Sequence, residues 1–137
     1  MWYSYAVIRI VPRVERGEQL NVGVVLFARE QDFLQAQIEL DRERLCVLAP
    51  DVDLEAIERH LRTFQAICDG APEGGPVAAL PASERFHWLV APRSTMIQTS
   101  PVHVGRSADP RQALEDLLAE LVRPPAKVQE GGSKVRA

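Results

Sequence analysis

The 137-residue sequence has little cysteine, and its two cysteines are isolated from other metal-binding side chains. Cys46 and Cys68 form no CxxC pair and have no companion cluster of cysteine and histidine. This pattern argues against a zinc site and against a framework of disulfides. We expect two structural thiols in a reducing cytoplasm, and the alternative is a single disulfide between them.

Long apolar runs are also missing. No stretch approaches the ~20 apolar residues that a membrane span requires, and the N-terminus lacks a basic segment followed by an apolar run. The chain is 46% hydrophobic and 26% charged, as is ordinary for a soluble globular protein. We therefore expect a cytoplasmic protein with one domain over residues 1–123 and a flexible C-terminal tail over residues 124–137.

The common enzyme motifs are absent. There is no P-loop, no GxGxxG after a strand, no HExxH and no GxSxG. The three histidines, His60, His87 and His103, lie far apart and lack metal-ligand spacing. With a net charge of −3, a broad nucleic-acid-binding surface is not expected either. The sequence thus predicts no metal and no cofactor.

Carboxylates are missing from one long window, residues 86–108, although the chain has 19 acidic and 16 basic residues. The window carries two arginines and two histidines among hydroxyl and amide side chains. Donors without a competing carboxylate suit an anion or a polar ligand. The candidate ligand-binding residues are Arg93, Ser94, Gln98, Ser100 and His103. Alternatively, these donors satisfy backbone carbonyls and help to close the fold.

A second polar cluster connects the first two predicted strands. Gly17 is expected to supply a positive φ, so that the charges around it project from the turn. The candidate partner-binding residues are Arg13, Glu15, Arg16, Glu18 and Asn21, and the alternative is an ordinary solvated loop. Arg9, inside an apolar strand, needs a polar partner or a route to solvent, and Glu18 is one candidate partner.

The hydrophobic pattern predicts an α+β fold, a mostly antiparallel sheet of four or five strands with helices packed on at least one face. Strands are predicted over residues 2–11, 20–28, 34–40 and 96–100, the first of them central. A short helix or turn should begin at Asp41. Longer helices should start at Asp53 and end near Gly70, cover residues 81–90, and follow the cap Asp109.

Two motifs carry a family resemblance: YSYAVIRIVPRVERGEQLNVGVVLF at residues 3–27 and FHWLVAPRSTMIQTSPVHVG at residues 86–105. With these motifs and the following Asp109-Pro110, the chain resembles the DUF3037 family of uncharacterised bacterial proteins over residues 2–123. The resemblance implies genomic neighbours that are HipA-like kinase-fold proteins, and hence an accessory role beside such a partner.

The functional prediction is a non-enzymatic accessory or binding domain that recognises a partner protein or a small anionic ligand. The alternative is an enzyme acting on a phosphorylated or nucleotide-like substrate, with His103 as general acid/base and Arg93 as anion clamp. Both hypotheses place the side chains of Arg93 and His103 within about one ligand's width of each other.

Overall fold

The computed structural model describes residues 1–93 and 95–125, which form a five-stranded antiparallel sheet flanked by helices. The strands are β1 (Trp2–Ile10), β2 (Leu20–Ala28), β3 (Phe33–Ile38), β4 (Ile97–Thr99) and β5 (His103–Arg106). The helices are α1 (Arg42–Leu48), α2 (Leu54–Asp69), α3 (Ala82–Val90) and α4 (Pro110–Leu121). The predicted α+β class is confirmed. The bounds of β2 are those predicted, and the ends of β1, β3 and β4 lie within two residues of the predicted ones.

Strand β1 is the centre of the sheet, as predicted. The order is β3–β2–β1, and the other side of β1 is shared by two short strands. Strand β4 pairs with residues 8–10 and β5 pairs with residues 2–5. Because β1 has nine residues, β4 and β5 can lie end to end along it.

Strand β5 is not among the four strands that the sequence pattern located, the last of which was predicted over residues 96–100. In the structure His103 begins the strand and pairs with Tyr5. Four residues that include a glycine are too few to show a period of two, and a proline just before them indicates a loop. The sequence pattern therefore could not distinguish a short edge strand from a loop.

Side chains alternate between the two faces of the sheet. On β2, Val25 and Phe27 belong to the larger core beneath α2 and α3, whereas Val24 and Leu26 belong to a smaller core beneath α4. The period of two along an extended strand produces this division. The two faces therefore present different surroundings to the side chains on the outer strands.

The predicted helix ends are confirmed. Asp53 accepts a hydrogen bond from the Ala56 amide at 3.1 Å, and Gly70 ends α2 with a φ of 71°. Asp109 caps α4 by accepting from the Arg111 and Gln112 amides, and Asp41 caps α1 by accepting from the Arg44 amide. These caps satisfy amides that have no partner inside the helix.

Both cysteines are free thiols, Cys46 exposed and Cys68 buried. Burial raises the pKa of Cys68 to about 12, so this thiol stays protonated at neutral pH. Among the helices built from described residues, none has the length and apolar character needed to cross a bilayer. The tail predicted for residues 124–137 lies outside the described residues from position 126 onward.

Candidate functional site

A cleft of about 320 Å³ opens between α2, the end of α3 and β4. Helix α2 contributes one exposed and one buried row of side chains, α3 contributes Trp88 and Leu89, and the opposite wall is the segment that forms β4. Its lining residues are His60, Thr63, Phe64, Ile67, Trp88, Leu89, Arg93, Thr95, Met96, Ile97, Gln98 and Thr99. Most of this wall is apolar.

Arg93 is held in place at the rim of the cleft. Its guanidinium donates to the carbonyl oxygens of Leu89, at 3.2 Å, and Ala91, at 3.4 Å, and also to that of Trp88. It lies 4.2 Å from the centroid of the Trp88 ring. A cation at these carbonyls stabilises the end of α3, and the stacking adds a cation–π contact. Partial burial lowers the pKa of the Arg93 guanidinium.

Other polar groups in the window also bond to the protein's own backbone. The Thr95 hydroxyl donates to Ile97 O at 2.8 Å, Gln98 Nε2 to Thr95 O at 2.8 Å, and the Thr99 hydroxyl to Val90 O at 3.4 Å. Ser100 is only 3% exposed. Its hydroxyl accepts from the Val7 amide and donates to Pro101 O, each at 2.9 Å. These bonds shape the wall, so the cleft presents mainly apolar groups.

His103 lies on the other side of the sheet. Its ring is 5.4 Å from that of Tyr5, which packs against the core beneath α4. His103 is not among the residues that line the cleft. The structure therefore brings Arg93 and Gln98 together and separates them from His103 and Ser100. The proximity of Arg93 and His103 that both functional hypotheses expect, around one anionic ligand or one substrate, is not formed. Ser94 lies outside the described residues.

The connection between β1 and β2 is a turn in which Gly17 has a φ of 72°, as expected. Arg16 forms a two-pronged ion pair with Glu18, at 2.8 and 2.9 Å, and the hydrogen bond to Arg16 lowers the pKa of Glu18. Arg13 pairs with Asp51 at 2.6 Å. Glu15 is exposed on the same turn. These charges are solvated at the surface, as the loop alternative expects.

Asn21, predicted as a partner-binding residue, forms hydrogen bonds within the protein. Its side-chain oxygen accepts from Arg9 Nε at 3.3 Å, while its amide nitrogen donates to Leu121 O at 3.0 Å. The suggested pairing of Arg9 with Glu18 is wrong, because Glu18 bonds to Arg16 instead. Asn21 thus joins the sheet to the end of α4.

Sequence reasoning missed the α2 side of the cleft. Phe64 lies in an apolar stripe of α2 that the helical period assigns to the core, and His60 lacks the spacing to other histidines that would indicate a site. In the structure His60 and Thr63 are exposed, one turn apart, and both line the cleft. The available signal was an aromatic residue, Trp88, five positions before Arg93, but only the fold shows that α2 faces them.

Among the described residues, the ionisable side chains that line the cleft are His60 and Arg93. Within residues 1–93 and 95–125, no group of three or more histidine, cysteine, aspartate or glutamate side chains is placed to hold a metal ion. Among the residues that the structure describes, no aspartate or glutamate lines the cleft to orient His60 as a base. An open, mostly apolar concavity with a fixed aromatic–arginine pair at its rim can receive an apolar group.

A comparison with known families matches residues 5–122 to the model described as "Protein of unknown function (DUF3037)". No curated protein and no solved structure gives a match to this chain. The match covers the second motif, all but two residues of the first, and nearly all of the 2–123 range over which the resemblance was drawn. On this evidence the chain belongs to the DUF3037 family.

Proposed function

We propose that this protein is a protein-binding domain that receives an apolar side chain of its partner in the cleft between α2, α3 and β4. The observation that carries this proposal is the cleft itself, about 320 Å³ in volume and walled mainly by apolar groups. Ligand sites for small molecules span about 300–1,000 Å³, so this volume suits one large side chain better than an extended ligand.

The engaged polar groups favour an apolar occupant over an anion. Arg93 donates to three carbonyl groups at the end of α3, and the cleft-lining threonines donate to backbone oxygens. An anion would have to compete with these bonds, whereas an apolar side chain leaves them intact.

The two residues at the rim of the cleft, Trp88 and Arg93, are of the types enriched in binding hot spots. Trp88 is 42% exposed and has Arg93 stacked on it, and tryptophan and arginine are enriched where protein interfaces gain most of their free energy. The stacked pair is already ordered without a partner, so little conformational entropy is lost when a second protein covers it.

The family resemblance supplies a candidate partner, a HipA-like kinase-fold protein encoded beside the gene. In this arrangement the domain regulates the kinase or presents a substrate to it. The cleft would hold a side chain of the kinase, and the solvated charges around Arg13 and Arg16 would lie outside the contact.

The test fills the cleft without disturbing the core. Thr63 is exposed and lines the cleft, so Thr63→Trp places an indole in the space proposed for the partner's side chain. Arg62→Trp adds the same ring at an exposed neighbouring position that does not line the cleft. Calorimetric titration with the neighbouring kinase-fold protein should show affinity at least about tenfold weaker for Thr63→Trp, a loss of about 1.4 kcal/mol.

The control should bind like the wild type, and both variants should keep the wild-type melting temperature. Equal affinity for Thr63→Trp and the wild type would remove the cleft from the interface. If the wild type shows no binding to the kinase, the proposed partner is wrong. A titration with indole as probe, followed by nuclear magnetic resonance, then tests the cleft alone. The signal of the Trp88 side chain should shift saturably in the wild type, and Thr63→Trp should abolish this shift.

A further inference from the structure

The outer side of β5 is an open strand edge. Antiparallel neighbours alternate between pairs that exchange backbone hydrogen bonds and pairs that do not. Met1 and Ser107 are a hydrogen-bonded pair, because the Ser107 amide donates to Met1 O at 2.9 Å. Tyr3 and Gly105, two residues away on each strand, are therefore the next hydrogen-bonded pair. The backbone groups of Val104 and Arg106 therefore point away from β1. Within the described part of the chain, no strand pairs with this side of β5.

Apolar side chains are exposed along this edge. Val104 is 63% exposed and Trp2, on the neighbouring strand, is 61% exposed. Both line a concavity of about 310 Å³ that also includes Phe27 and Phe86. Natural proteins usually protect such an edge with charged residues, a covering element or a short, bulged strand, because exposed strands pair with other chains. An edge with apolar side chains and free backbone groups is suited to accept another strand.

The charge beside this edge is positive, although the protein as a whole carries a net charge of −3. Arg106 stacks over Trp2 at 4.8 Å and Arg29 lies 5.6 Å from the centroid of Phe27. His87 lines the same concavity, which includes one carboxylate, that of Glu30. Arg106 and His87, both from the carboxylate-free window, thus join Arg29 in a basic border beside β5.

We propose that the β5 edge binds an extended acidic segment of another protein, which adds to the sheet as a further strand. Backbone hydrogen bonds to Val104 and Arg106 would hold the segment, its apolar side chains would cover Val104 and Trp2, and its carboxylates would meet Arg106 and Arg29. A second copy of this chain fits less well, because edge-to-edge pairing of two β5 strands brings their arginines and histidines together.

This surface does not depend on the cleft beside β4, so each can be tested separately. The probe is a capped synthetic peptide of Val-Thr-Glu-Thr repeats, in which valine and glutamate alternate along one face of the added strand, compared with a peptide in which lysine replaces glutamate. The acidic peptide should bind at least about tenfold more tightly, and its affinity should fall as salt is added. Hydrogen exchange in the complex should slow at the Val104 and Arg106 amides, while the already bonded Gly105 amide changes little.

Two variants separate the backbone and charge contributions. Val104→Pro removes an amide that points outward and leaves the pairing with β1, so peptide affinity should fall about fivefold. Val104→Thr retains the amide and should bind within about twofold of the wild type. Arg106→Glu should weaken the acidic peptide about tenfold and strengthen the lysine peptide, and Arg106→Lys should restore the preference.

Three results would overturn the proposal: equal binding of the two peptides, no binding of either, or unchanged affinity in both Val104→Pro and Arg106→Glu. Sedimentation analysis tests whether a second copy of this chain occupies the β5 edge instead. A wild-type dimer that Val104→Pro converts to a monomer would assign the edge to a second copy of this chain and would likewise refute the acidic partner. If Val104→Pro does not fold, the affinities of the two variants Arg106→Glu and Arg106→Lys for the two peptides decide whether the edge prefers an acidic segment.

Discussion

The two edges of the sheet are protected very differently. The β3 edge has the polar residues Gln35, Gln37 and Glu39 on one face, and Arg123 joins Glu39 and Glu115 in an ion-pair network at 2.8 and 2.6 Å. The β5 edge has exposed valines and a tryptophan beside arginine. Charged side chains discourage strand pairing. Among the described residues neither β3 nor β5 has a further strand on its outer side, so the two edges differ in their side chains, which are charged and ion-paired at β3 and apolar and exposed at β5.

One glycine lies at the junction of each outer strand with its inner neighbour: Gly23 in β2 faces β3, and Gly105 in β5 faces β1. Replacing these glycines should give the largest difference in stability between the two edges. A Cβ added at Gly23 would lie 2.6 Å from the backbone oxygen of Gln37 in β3. A Cβ added at Gly105 would lie 2.5 Å from the Tyr3 ring. A side-chain ring can rotate away, whereas a paired backbone must shift.

We therefore expect Gly23→Ala to lower the free energy of unfolding by about 3 kcal/mol and Gly105→Ala to lower it by about 1 kcal/mol. Denaturant titration of the two variants measures both values, and each serves as the other's control. A larger loss at Gly105 would mean that Tyr3 is as rigid as the backbone and that the β5 edge is the better-packed one.

The second prediction concerns the junction between β4 and β5. Ser100→Ala removes the acceptor of the buried Val7 amide and should cost about 2 kcal/mol, because the amide is left without a partner. Thr95→Ala removes an exposed hydroxyl from the same region and should change the stability by less than about 0.5 kcal/mol. Thermal and denaturant unfolding provide the measurement. Equal small losses would show that water replaces the serine hydroxyl.

The smallest effect is expected at the charged β3 edge and depends on pH. The hydrogen bond from Arg123 lowers the pKa of Glu39 below its ordinary value. A lowered carboxyl pKa stabilises the folded protein above the unfolded value, about 4.3, and this stabilisation is lost as the pH falls through the folded value. Wild-type stability should therefore fall more than that of Glu39→Gln between about pH 5 and pH 3. Parallel curves for the two proteins would mean that the ion pair contributes nothing measurable.

Much of the fold could be predicted from the sequence, because its signals are local. Each of these signals depends only on residues close in sequence and on their bonds to the nearby backbone. Examples are the helix caps Asp53 and Asp109, the helix end at Gly70 and the alternation along residues 34–40. The central position of β1 followed from apolar side chains on both of its faces.

The candidate site could be predicted only in part, because it depends on which elements meet. The carboxylate-free window was recognised, but its residues divide between two faces of the sheet, with Arg93 beside the cleft and His103 against Tyr5. Composition does not show which donors bond to the chain's own carbonyls. The contribution of His60 and Thr63 depends on the packing of α2 opposite β4, a contact between segments distant in sequence.

The hydrogen bonds at Met1 affect how this protein should be labelled. Its amine donates to Ser107 O at 3.0 Å and its carbonyl accepts from the Ser107 amide at 2.9 Å, next to Trp2 and the open side of β5. An affinity tag attached at Met1 would emerge beside that strand and would compete with a segment that binds there. A fluorophore or surface anchor for binding measurements is therefore better attached beyond α4.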